Sequence, residues 1–187
     1  MNTTLDHLID QNCQALEDLH RLLAATSEEQ YRAPSDPCHH SSIGQQVRHV
    51  LEHGEAVLNA ATGPVDYHTR SRDPRTERSL STARERLVTL IRRLDELEGS
   101  ATDTPLACWH VAESPDGILE DTLHSSLGRE LAFLQSHTVH HMALIGIMAS
   151  LQGISVPTGF GIAPSTRRYW ATQEQGRDRL LDATRVQ

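Results

Sequence analysis

Leucine dominates the apolar positions of this chain, and its spacing divides the chain into four long amphipathic segments. Leu5, Leu8, Ile9, Leu16, Leu19, Leu22 and Leu23 recur at intervals of three and four, the stagger that places side chains along one stripe of an α-helix. With Thr3 and Asp6 offering a cap, residues 3–25 are expected to be the first helix. Ser27, Glu28, Glu29 and Gln30 have capping-box form and predict one extra turn, before Pro34 and Pro37 break the chain. The second helix begins at Ser41 or Ser42, carries Ile43, Val47, Val50, Val57, Leu58 and Ala61 on its apolar face, and stops at Gly63-Pro64. Residues 64–77 show no period and read as loop.

A third helix is expected over residues 78–98, where Leu80, Ala83, Leu87, Leu90, Leu94 and Leu97 alternate by three and four and charged residues fill the other faces. Pro115, Asp116 and Gly117 form a turn signal between two short strand-like runs in residues 105–124, which predicts a small hairpin. The fourth helix starts after Ser125 or Ser126 and runs to Gln152, with Gly153 as its stop and Pro157 beyond. Four helices, one hairpin between helices 3 and 4 and no strand-helix alternation predict an all-α protein, a four-helix bundle. The connections at 63–77 and 99–125 are long enough for a crossover. Residues 1–155 carry the bundle, and residues 156–187 read as a loop and polar tail.

A chain of 187 residues fits one domain that builds its core without disulfides. Its net charge of -8, from 25 acidic and 17 basic side chains, disfavours nucleic acid and anionic lipid as partners and suits a small-molecule substrate. Cys13, Cys38 and Cys108 are odd in number and widely spaced, so they define neither a disulfide framework nor a zinc knuckle. The polar N-terminus does not read as a secretory signal, and the apolar run from Met142 to Leu151 is too short to span a bilayer. The expected location is cytoplasmic.

The chemistry is in the histidines. Counting the core positions of the fourth helix gives Leu127, Glu130, Leu134, His137, His141, Leu144, Met148 and Leu151, so two imidazoles and a carboxylate fill slots that otherwise hold leucine or methionine. Imidazoles on a core face cost desolvation unless something binds them, and at i and i+4 both can reach one divalent ion. The bland alternative is a metal-free bundle in which His137 and His141 satisfy each other. A metal needs a ligand from another helix; the second supplies His49 and His53, again four apart, with His53 nearer the centre of the apolar face. Glu130, two turns before His137, is placed to orient a ligand, take a proton, coordinate, or simply pair with Arg48 or Arg129. His140 lies off the ligand face, while Cys38, His39 and His40 precede the second helix as entrance or plain loop residues. Trp109 and Trp170 suit packing or an interface.

Other templates fit poorly. His137-Thr138-Val139-His140-His141 has threonine where a zincin helix carries its glutamate base. A di-iron bundle needs two Glu-x-x-His elements, and only Glu17 to His20 matches. Phosphate loops, nucleophile elbows and dinucleotide fingerprints do not appear.

The stretch from Ser42 through Ile43 and Gly44 to His49 resembles the second-helix motif of the DinB/YfiT superfamily of metal-binding four-helix bundles, and His137 to His141 followed by Ala143-Leu-Ile-Gly146 resembles its later motif. The likeness extends over most of residues 1–155. It implies a DinB-like four-helix bundle whose metal ligands are His49, His137 and His141, with His53 moved to a supporting or substitute place. It also implies a divalent ion, zinc or nickel, and a low-molecular-weight thiol as co-substrate. Three neutral imidazoles would leave an ion's charge uncompensated and coordination positions open, which suits activation of a thiol or water for transfer or hydrolysis on a small molecule. The alternative is a metal-binding or stress-related protein without turnover. A homodimer is expected, because family members often pair and Arg167, Arg168, Tyr169 and Trp170 are a mix favoured at interfaces.

Overall fold

In the computed structural model, residues 4–60 and 63–173 are described. The chain is mostly helical, with one small three-stranded sheet. Helix α1 spans Thr4–Ala24, α2 Glu28–Arg32 and α3 Ile43–Leu58; a 3-10 turn, Asp36–Cys38, lies between the last two. Strand β1 (Val65–Asp66) and helices α4 (Pro74–Arg78) and α5 (Leu80–Asp95) follow, then β2 (Pro105–Ser114), β3 (Gly117–Ser126) and α6 (Leu127–Leu151). Residues 164–173 are helical again. Thr3 and Ala61, expected in a cap and on an apolar face, lie outside the described residues, as do residues 174–187.

Serine caps set the starts of the helices. Ser27 and Ser42 each close a capping box, with Gln30 and Gln45 respectively returning a side-chain oxygen to the serine N–H, so two N-terminal donors that the helix leaves free are satisfied at each end. Ser79 and Ser126 accept from the third residue of α5 and α6. Because the phase of a helix follows from its first turn, the Ser42 box fixes which face of α3 later presents His49 and His53.

Helices α1 and α3 each pack on both α5 and α6, so the four long helices close around one core. Leu5, Ile9, Leu19, Leu23, Ile43, Leu51, Leu87, Leu94, Leu131 and Ile145 are wholly buried there, each contributing about 1.5–3 kcal/mol. The Asn12 side-chain amide donates to the Leu131 carbonyl (3.0 Å), tying α1 to α6 inside the core. Leu151 departs from the counted core face: it is 63 % exposed, because the last turn of α6 turns Met148 and Ala149 inward instead.

The connections hold more structure than their composition suggests. Residues 64–77, expected as loop, contain β1 and α4. A two-residue strand has too few side chains to show a period, and α4 is a single turn started by Pro74 with Asp73 as cap. Strands β2 and β3 pair antiparallel from Pro105 opposite Ser126 to Ser114 opposite Gly117, and β1 adds in parallel with Val65 opposite Cys108. The chain that follows β1 is thereby drawn over the middle of α3 and α6. The segment after α6 folds back on that helix: Ile154 and Phe160 are buried, and Gly161, at φ +67°, lies so close to the Ala143 backbone that a Cβ would be 2.5 Å from its nitrogen.

Candidate metal centre

Four imidazoles converge where α3 faces α6. The Nε2 atoms of His49 and His137 are 2.9 Å apart, and one ring nitrogen each from His49, His53 and His137 lies within 4.8 Å of the others. The His141 ring is the fourth, its centroid 4.3 Å from that of His49 and 4.5 Å from that of His137. Nitrogens sharing one ion at bond lengths of about 2.1 Å stand roughly 3–3.4 Å from each other, so small side-chain adjustments would bring the His49, His53 and His137 nitrogens onto a cation, with His141 beside that group.

Hydrogen bonds orient two of the rings. His53 donates its Nδ1–H to the His49 carbonyl (2.8 Å), and His141 donates its Nδ1–H to the Gln46 side-chain oxygen (2.6 Å). Both are left with an Nε2 lone pair, the form a metal ligand needs. His49 differs. The guanidinium of Arg70, which can only donate, is 2.5 Å from its Nδ1, so the His49 proton sits on Nε2 and points to His137.

Burial holds all four rings neutral. It lowers the His49 pKa to about 2, with His53, His141, Arg70 and His137 adding charge repulsion in that order. His141 is lowered to about 3, again chiefly by burial and then by His137. Burial takes His53 to about 4 against the opposing effect of its bond to the His49 carbonyl, and His137 moves the same way, through burial and then His140. Unfolded imidazoles titrate near pH 6.5, so below that value the unfolded chain takes up protons that the folded chain refuses. Stability contributed by the cluster is therefore complete above about pH 6.5 and is lost progressively as pH falls through the folded values of about 4, 3 and 2 for His53, His141 and His49. The urea midpoint is expected to be lower at pH 5.0 than at pH 7.5, with a flatter dependence when His49, His53 and His141 are all replaced by glutamine.

Around the rings, Tyr67 stacks on His53 and Phe133 on His137, with centroids 5.2 and 5.4 Å apart. Glu130 stands behind Tyr67, wholly buried; it accepts from the Tyr67 hydroxyl (2.6 Å), from Ser125 and from Arg129 (2.8 Å). Of its two anticipated cationic partners, Arg129 is therefore the one it meets, while Arg48 pairs with Glu77. Glu52 is buried beside the cluster, 3.8 Å from Arg70 and 4.0 Å from Arg48. Its Oε1 accepts from Ser71 and from the Asp73 N–H, and its Oε2 has no hydrogen-bond partner among the described residues.

The sequence reading brought His49, His53, His137, His141 and Glu130 to attention, and the fold draws the four histidines together. His53, favoured by the helical wheel and set aside on the resemblance, belongs to the group. His39 and His40 are exposed on a loop, with His40 against Asp36; His140 is exposed as well. Tyr67, Arg70 and Phe133 were missed. The first two follow a strand too short to leave a pattern, whereas Phe133, four residues before His137, and Gln46, three residues before His49 and likewise missed, stand at helical spacing from a histidine of the group.

The model of a described protein family matches residues 11–145, well over half of the chain. The chain belongs to the DinB superfamily. This DinB protein is also 32 % identical over 105 residues to FK506-binding protein 5 of Rhizopus delemar, a match that takes in 56 % of the chain and 27 % of that protein. The chain thus spans about a quarter of the length of that relative. No solved structure matches it. No helix among the described residues is long and apolar enough to cross a membrane.

Proposed function

We propose that this DinB protein is a divalent-metal-dependent enzyme that activates a low-molecular-weight thiol or a water for transfer to, or hydrolysis of, a small electrophile. The convergence of imidazole nitrogens from α3 and α6 carries this reading. His49, His137 and His141 are the ligands implied by the family motifs; His53 is close enough to join them or to replace one. In this reading α1, α3, α5 and α6 form the DinB four-helix bundle of residues 1–155, and the β2–β3 hairpin is an insertion beside its site. A bound zinc or nickel ion would acidify a water or thiol beside it and supply an electrophilic centre. The chain's part is to hold neutral donors in a fixed place, through the His53 and His141 hydrogen bonds, and to limit water with the Tyr67 and Phe133 rings.

The test is elemental analysis of untagged protein, followed by a panel of small thiols added to the cobalt-substituted form. One ion per chain and a thiol-dependent change in the cobalt spectrum are expected. Absence of a stoichiometric ion overturns the reading, whereas an ion without a thiol response leaves hydrolysis in place and removes transfer. Exposed Tyr169 and Trp170 belong to a proposed homodimer face of this cytoplasmic protein, which light scattering on the eluting peak checks.

Arg70 works against an ion in two ways. Its charge repels a dication, and its bond to His49 Nδ1 keeps a proton on the nitrogen that would ligate. Arg70→Gln is therefore expected to tighten zinc binding roughly tenfold, about 1.4 kcal/mol, in a competition titration with a chromophoric chelator. Unchanged or weaker binding would show that Arg70 has no such role.

A further inference from the structure

Between the hairpin and the N-terminal half of α6 lies a cavity of about 470 Å³, within the range of small-molecule sites. Its apolar wall comes from Tyr67, Trp109, Leu123 and Phe133. Two of these rings are the same ones that stack on His53 and His137, so a single layer of aromatic side chains separates the cavity from the imidazole cluster.

The polar groups of the cavity are unevenly committed. Glu130 is the sole carboxylate among its described lining residues, and both of its oxygens already accept: Oε2 from Tyr67, Oε1 from Ser125 and Arg129. Among the described residues, Arg129 commits its Nη1 to Glu130 and has further N–H groups to offer. Its side chain is 63 % exposed, and its guanidinium carbon sits 5.6 Å from the centre of the Phe133 ring. His68 accepts the Val111 N–H at its Nε2 (3.4 Å), which puts the ring proton on Nδ1 as a further donor. Burial, and then the nearby Glu130, push the Cys108 thiol up, so it stays protonated and offers no charge. What the cavity has to spare is therefore donors and one cation, beside flat apolar walls.

We propose that this cavity binds a small organic anion with a flat apolar body, its charge on Arg129 and its body against Trp109 and Phe133. The binding requires no ion and does not rest on the metal-enzyme reading. Guanidinium pairs with carboxylates and sulfonates more strongly than a neutral donor does, and it recognises them while stacked on an aromatic face.

The test uses 8-anilinonaphthalene-1-sulfonate as the anionic probe and N-phenyl-1-naphthylamine as its uncharged counterpart, in fluorescence titrations of the full chain with and without zinc. Saturable one-to-one binding of the sulfonate to zinc-free protein is expected, at least tenfold tighter than the neutral probe. Arg129→Gln should weaken the sulfonate at least tenfold and leave the neutral probe within twofold, a result that also shows the variant is folded. Arg129→Lys should recover part of the loss, and Trp109→Ala should weaken both probes. Equal affinity for the two probes in the parent, or sulfonate binding that ignores Arg129→Gln, overturns the proposal. Because the titration reads zinc-free protein, a failed metal reading and a failed anion site give different results.

Discussion

Replacing His137 with alanine is expected to lower the affinity for zinc more than about 100-fold, beyond the range typical of residues that only support a ligand. The His137 ring lies 5.0, 4.2 and 4.5 Å, centroid to centroid, from those of His49, His53 and His141, a central place that it shares with His49. Its Nε2 already faces that of His49. Truncation removes a donor from the centre of the group and leaves His49 with its proton aimed at nothing. His140→Ala, one residue along and exposed, is the matched control and should bind as the parent does. The measurement is ion content after dialysis together with a chelator competition, with circular dichroism to show that the helices persist. Retention of a stoichiometric ion by His137→Ala would place the site elsewhere. The same assay on His53→Ala and His141→Ala ranks the remaining donors, since the structure brings both near His49 while the family motifs favour His141.

Gly44→Ala is expected to destabilise the protein by about 2–3 kcal/mol, the cost of forcing volume into a packed contact, and to lower Tm by roughly 5–10 °C. A Cβ at position 44 would stand 2.2 Å from the Glu77 carbonyl oxygen and 2.9 Å from the Tyr31 ring. The carbonyl belongs to the backbone of α4 and cannot rotate away. Tyr31 is fixed too, wholly buried and donating its hydroxyl to the Thr76 carbonyl (2.8 Å). This explains in physical terms the glycine of the Ser42-Ile43-Gly44 motif: α4 crosses α3 at a distance only glycine permits. His49 follows five residues later, so the substitution is also expected to disturb the metal group. Gly63→Ala, where nothing among the described residues lies within 4 Å, should be close to neutral. Urea unfolding of the two variants side by side decides the matter, and a Gly44→Ala midpoint equal to that of Gly63→Ala would refute the crossing argument.

The correspondence between sequence and fold is uneven for a reason visible in particular elements. In α1, α3 and α5 most of the periodic leucines, isoleucines and valines are buried, with Leu8, Leu58 and Leu80 half-buried at the edge of the stripe, because burial of one face stabilises an amphipathic helix more than intrinsic propensity does. The Pro115 to Gly117 turn likewise stands where the hairpin reverses. β1 and α4 escaped because two residues and one turn carry no period; what stabilises them is pairing with β2 and packing on α3, partners far away in the chain.

The same division holds at the site. Spacing of four in both helices placed His49 with His53 and His137 with His141 on common faces, a consequence of 3.6 residues per turn that needs no partner. Sequence alone thus determined a mostly helical chain carrying two histidine pairs and a set of family motifs. Tertiary structure decided that the two pairs meet, that Arg70 reaches His49 from the chain after β1, and that Glu130 turns to Tyr67, Ser125 and Arg129 instead of the cluster. The His49–His137, Arg70–His49 and Tyr67–Glu130 contacts join residues 88, 21 and 63 apart, and local periodicity carries no information about them: they depend on how α3 and α6 lie against each other and on where a two-residue strand anchors the intervening chain.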